Sequence, residues 1–123
     1  MNTQKIFEMD FTKVYSLLVG KAERKGHQRW EVDQLTSWLT GYSPEEIRRK
    51  EEESISYGSF FENAPVLNPL RKNIRGTICG VRIEDIEEPL MRDIRCLDKL
   101  VDELAKGKTV EKILAKLESA GGK

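Results

Sequence analysis

One histidine and two cysteines in 123 residues leave little room for the usual site chemistry. A structural zinc needs four thiolate or imidazole ligands, more than these three side chains supply. A carboxylate-rich magnesium site would have to draw on acidic residues that have closer explanations, so neither metal nor cofactor is expected. Any cysteine–histidine dyad would have to use His27, which follows Gly26 in a polar turn. Long apolar runs are missing as well. The most apolar window, Val14 to Val19, is broken by Ser16 and falls far short of the roughly 20 residues that cross a membrane. The N-terminus carries Lys5, Glu8 and Asp10 where an export signal needs an uninterrupted apolar stretch. Cys79 and Cys96 are therefore expected as reduced thiols in a cytoplasmic chain with no membrane partner. An excess of charge of one sign is absent too. Lys+Arg 21 against Asp+Glu 21 lacks the basic surplus that polyanion binders carry, and nucleic acid is not an expected partner.

What is present is helical patterning. At this length one domain, 1–123, can bury a core without disulfide or metal staples. Residues 1–9 read as an extended lead-in with Ile6, Phe7 and Met9 packed onto the body. Asp10 is placed to cap a helix whose Phe11, Val14, Leu18 and Ala22 share one stripe, and Gly26 ends it. A second helix runs from about Arg29 to Thr40, with Val32, Leu35 and Leu39 on one face and Gly41 closing it. Ser43, Pro44, Glu45 and Glu46 form the strongest start signal, for a short helix through Glu53. From Ser54 to Pro65 the pattern loosens, and Phe60-Phe61 reads as an apolar plug on a turn begun by Ser59. Asn68-Pro69 repeats the cap-then-proline grammar for a short helix ending at Gly76. Thr77 to Ile83 is the one strand-like segment. With no partner strand in view, it reads as an extended crossing.

The C-terminal third is the clearest. Ile83, Ile86, Leu90, Ile94, Leu97, Val101 and Leu104 step by three and four. Pro89 cannot continue a helix from residue 85, so 83–88 is a separate turn and the long helix runs from Pro89 to Lys106. Thr109 caps a last helix carrying Val110, Ile113, Leu114 and Leu117, and 120–123 reads as a frayed tail. The two helices form an antiparallel hairpin. The fold class is all-α, five or six helices with an irregular middle. The 89–106 seam is wide enough to serve as the centre of the core or as a homodimer interface.

Several stretches resemble an uncharacterised bacterial family, domain of unknown function 2200. They are KAERKG (Lys21 to Gly26), WLTGYS (Trp38 to Ser43), Asn68-Pro69, CGVRIEDIEEPLM (Cys79 to Met91) and LDKLVDELAKGK (Leu97 to Lys108). The resemblance implies a small, mostly helical bacterial domain and brings no activity or site residues with it.

Three groupings carry candidate chemistry. Cys79 beside Gly80 and Arg82 could be a nucleophile or redox sensor, a thiolate near a cation. Free cysteine is also among the most buried residue types, which points to a small residue packed at a tight crossing. Glu84, Asp85, Glu87 and Glu88 could serve as an acid–base pair of carboxylates or hold a hard cation. They equally suit the start of the helix at Pro89 and a charge seam with Arg71, Lys72, Arg75 and Arg82. The helix–turn–helix around WLTGYS would offer Arg48, Arg49 and Lys50 to DNA, but five glutamates share that helix and phosphates repel them. Catalytic candidates are thus Cys79, Arg82 and His27. Ligand-binding candidates are Trp38, Tyr42, Asn68, Arg71, Glu84 and Glu87. The leading expectation is a non-enzymatic cytoplasmic interaction or structural domain. The alternative is a small-ligand binder or enzyme using Cys79 and Arg82 near the 84–88 cluster.

Overall fold

The computed structural model describes residues 3–120, and side chains over 5–119. Local capping chemistry starts most of its helices. The Asp10 carboxylate accepts the Lys13 N–H at 3.3 Å and opens α2 (Phe11–Glu23). The Glu31 carboxylate reaches back to the Gln28 N–H at 2.8 Å at the start of α3 (Arg29–Thr40). Ser43 and Glu46 exchange backbone-to-side-chain bonds of 3.1 and 2.8 Å, a capping box for α4 (Pro44–Glu52). Glu88 accepts from Met91 N–H at 2.7 Å and opens α6 (Pro89–Ala105), and Thr109 accepts from Lys112 N–H at 3.1 Å at the head of α7 (Val110–Ala120).

The lead-in is a helix rather than extended chain, α1 (Thr3–Glu8). It packs on α5 (Tyr57–Glu62), where a Cβ on Gly58 would stand 3.1 Å from the Phe7 carbonyl oxygen. This bare backbone seat, far along the sequence, lets so short a helix pack Ile6 and Phe7, partly buried, against the core. Only the junction after it is extended: Tyr57 N–H donates to Met9 O at 2.7 Å and Phe11 N–H to Ile55 O at 2.9 Å. α5 is capped by Ser56, which accepts from Ser59 N–H at 3.1 Å, so the helix begins before the turn expected at Ser59.

After Asn68 the chain makes a 3₁₀ turn (Pro69–Asn73) that stops short of Gly76, with Asn68 accepting from Leu70 N–H at 2.9 Å. The strand-like segment has its partner within itself. β1 (Thr77–Ile78) and β2 (Val81–Arg82) form an antiparallel hairpin around Cys79 and Gly80, whose φ values are +54° and +78°. Two successive positive φ angles define the tight turn whose twist matches paired strands. A second 3₁₀ turn (Ile83–Asp85) leads to α6. α7 continues through Ala120, where a frayed tail was expected to begin; the rest of that expectation, 121–123, lies outside the described residues.

α6 is the central element, packing on α2, α3, α5 and α7. Ile94, Leu97, Val101 and Leu104 along its seam are at most 1% exposed. Phe11, Tyr42, Tyr57, Phe60 and Phe61 complete the core as an aromatic cluster, with Phe11 stacked on Phe60 at 4.0 Å between centroids. Helical residues make up well over half of those described. The mostly all-α expectation holds, with seven α-helices and one small hairpin among the described residues.

Candidate functional site

The residues singled out in the sequence do not converge. Cys79 is exposed at the hairpin tip, against the expectation of burial at a crossing; the two-residue turn throws it outward. Arg82, also on the hairpin, pairs loosely with Glu84 at 3.7 Å and Asp85 at 3.6 Å. His27 leads into α3, its Nδ1 3.1 Å from the Glu31 carboxylate. Glu84 accepts from Gly76 N–H at 3.0 Å across the base of the hairpin, and that bond, helped by Arg82 and Arg75, holds its carboxyl below the ordinary value. Glu88 caps α6, and Glu87 is exposed. Of the four basic residues considered as partners for this cluster, only Arg82 comes within ion-pair distance of it among the described residues. Arg71 instead bonds Asp93 on α6 at 2.8 Å.

The middle-segment candidates hold the fold together. Trp38 Nε1 donates to Glu118 at 3.1 Å, and its carbonyl accepts from Asn68 Nδ2 at 3.2 Å. Tyr42 donates to Phe60 O at 2.8 Å; burial, with Glu46 and Glu53 adding, pushes its hydroxyl up to about 12. In α4, Arg48 reaches toward Asp33 at 3.9 Å and Lys50 pairs with Glu53 at 3.2 Å.

A buried polar network lay outside the sequence reading. Tyr15 OH donates to Asp33 at 2.7 Å and lies 3.1 Å from Thr36 Oγ1, where α2 meets α3. Arg29 bonds Asp33 at 3.3 Å, pairs with Glu51 of α4 and covers the Tyr15 ring at 5.5 Å. Asp33 is 1% exposed, and a carboxylate so placed persists only when paired and hydrogen-bonded. Burial pushes the Tyr15 hydroxyl well up, so it stays a donor at neutral pH. The network joins three helices. Its helical spacing was available as a signal, since Asp33, Thr36 and Thr40 lie beside the Val32, Leu35, Leu39 stripe.

Two concavities stand out. An apolar groove of about 360 Å³ lies between α1, α2 and α6, lined by Ile6, Met9, Val14, Leu17 and Ile94. At its side Arg95 bonds Asp98 at 3.0 Å, and burial raises the Asp98 carboxyl despite that partner. Tyr57 also lines it, but its hydroxyl is sealed inside without a hydrogen-bond partner among the described residues.

The second is a cleft of about 300 Å³ between α6, α7 and the first 3₁₀ turn. Its floor is aliphatic: Ile74, Leu100, Ile113 and Leu117. Its walls carry Arg75, Lys99, Lys108, Lys112 and Lys116 against the single carboxylate of Glu103. Lys99 pairs with Glu103 at 3.3 Å and also donates to Thr77 O at 3.2 Å; Lys108 pairs with Glu103 too. Partial burial works against the Glu103 charge, but those two lysines outweigh it and hold the carboxyl below its ordinary value. Arg75, Lys112 and Lys116 have no carboxylate at ion-pair distance among the described residues. Asn73 Nδ2 donates to Leu117 O at 3.0 Å and pins the 3₁₀ turn to α7, fixing the width of the cleft. Neither concavity is lined by Cys79, Arg82 or Glu84. No group of three or more His, Cys, Asp or Glu side chains among the described residues is placed to hold a metal, and no helix among them is long and apolar enough to cross a membrane.

Comparison with known proteins adds a family but no activity. The chain is similar to a protein whose crystal structure is described as that of the uncharacterized protein SP1917. The two share 50% identity, with a TM-score of 0.92 over 95% of this chain and 96% of that one. No curated protein matches. The family model for an uncharacterized protein conserved in bacteria, domain of unknown function 2200, matches residues 5–115, and the chain belongs to that family.

Proposed function

We propose that the chain is a non-enzymatic interaction domain of the bacterial cytoplasm that receives an anionic partner in the α6–α7 cleft. The carrying observation is the charge segregation there. In a sequence of zero formal net charge, five cations gather around an aliphatic floor with one carboxylate among them. Cations clustered at a cleft with low-dielectric walls focus the field on an arriving anion. The floor adds apolar area for any ligand that also carries a hydrophobic group. Two unpaired cysteines support the reducing compartment.

Thermal denaturation with a panel of anions tests this reading. The panel is inorganic pyrophosphate, a naphthalene sulfonate and a short acidic peptide, each with an uncharged counterpart. A ligand that binds only the folded state raises the melting temperature by mass action. At least one anion should do so for the wild type and not for the Lys112→Glu/Lys116→Glu variant. Equal shifts in both proteins, or none with any anion, would overturn the proposal.

A further inference from the structure

We infer that the partner in the α6–α7 cleft is an acidic protein segment that carries an aliphatic side chain between its carboxylates. This rests on the reading of the cleft as a binding site and names the class of its occupant. Lys112 and Lys116 recur four residues apart on α7, a rise of about 6 Å along the axis. Alternate residues of an extended chain stand about 6.6–6.8 Å apart and point the same way. Acids at alternate positions of an extended segment therefore match the lysine step.

The residue between those acids points to the other face of the segment, toward the floor. Ile113, Leu117 and Leu100 form an aliphatic seat there, each 2–8% exposed and held by the core behind it. Lys108 and Lys112 are exposed at the mouth, and long lysine stems can lie along the apolar wall while lifting their ammonium groups to the rim. An apolar centre inside a polar rim is the common anatomy of a contact between protein surfaces.

The lining also discriminates among anions. No aromatic ring lines the cleft, so nothing offers the stacking platform that single-stranded nucleic acid uses. Its volume of about 300 Å³ is at the bottom of the range for small-molecule pockets, which enclose most of their ligand. That space suits one or two inserted side chains whose backbone stays outside.

Fluorescence anisotropy with labelled Glu-Leu-Glu-Leu-Glu tests the inference, with Gln-Leu-Gln-Leu-Gln as the uncharged control. The wild type should bind the acidic peptide saturably and the control at least about tenfold more weakly, with the charge-dependent part falling as salt screens the cleft. Lys112→Glu/Lys116→Glu should weaken the acidic peptide by at least about tenfold. Both positions are exposed, and circular dichroism checks that the variant is folded. Ile113→Ser probes the floor separately, and it should weaken the peptide without altering competition by pyrophosphate. Equal binding of both peptides, or equal binding by the lysine variant, overturns the inference. If oligothymidylate or pyrophosphate binds in a lysine-dependent way and the peptide does not, the acidic-segment assignment falls while the binding cleft stands. If no probe depends on the lysines, both fall.

Discussion

Leu97 lies midway along α6 and is 0% exposed, on the helix that packs against α2, α3, α5 and α7. Leu97→Ala removes three carbon groups at about 0.8 kcal/mol each, or about 2.4 kcal/mol of lost transfer energy. Helices on several sides limit collapse into the gap. A residual void on the order of 60 Å³ adds about 1.4 kcal/mol at about 24 cal/mol per Å³. The expected loss is therefore about 3–4 kcal/mol, within the range of about 2–5 kcal/mol for such changes in packed cores. Urea denaturation followed by circular dichroism measures it directly, as a lower midpoint at unchanged slope. A loss below about 1 kcal/mol would place Leu97 in an environment that tolerates truncation and refute the central role of α6. Sedimentation of both proteins supplies the companion readout. A wild-type dimer converted to a folded monomer by the substitution would assign the seam to an interface instead.

Asp33→Ala leaves Tyr15 and Arg29 without their shared acceptor. It should cost about 2–4 kcal/mol by chemical denaturation, since the partner charge is only partly reachable by water; a loss within about 0.5 kcal/mol would show that the network carries no stability. Titration of the unfolded, non-reduced protein should find both thiols free, and in the native protein the exposed Cys79 should label well before Cys96. Cys96 is buried, and burial pushes its thiol up to about 12; matched labelling rates would contradict the placement of both. The Glu103 carboxyl has a folded value below its ordinary 4.5, so its stabilisation is complete above 4.5 and is lost as pH falls through the lower folded value. The stability difference between wild type and Glu103→Gln should accordingly be present near neutral pH and vanish in acid. A difference independent of pH would mean that Lys99 and Lys108 do not act on that group.

The parts of the fold legible in the sequence are those fixed by neighbours in the chain. Ser43-Pro44 and Thr109 announce helix starts because the capping oxygen and the free N–H groups are three residues apart. α1 was not legible, because the bare backbone of Gly58 that seats it lies far along the chain. The hairpin hid behind its turn. Cys79 stands where asparagine or glycine usually supplies the first positive φ, and strands of two residues give no alternation to read. Asp33 was passed over beside the Val32, Leu35, Leu39 stripe, although its side chain points into the α2–α3 junction. The cleft was half visible. Lys108, Lys112 and Lys116 repeat every four residues, but only tertiary folding brings Arg75 and Lys99 to the opposite wall. The residues first considered for chemistry drew attention by reactivity, and most of them are engaged in caps, hydrogen bonds and ion pairs of the fold.

Backbone amide shifts followed by nuclear magnetic resonance during titration with the acidic peptide test the central claim most directly. The account predicts saturable changes concentrated from Lys99 to Glu103 and from Lys108 to Leu117, with Arg75 moving at the same concentrations. Changes confined to the groove at Met9 and Leu17, or scattered without saturation, would contradict it.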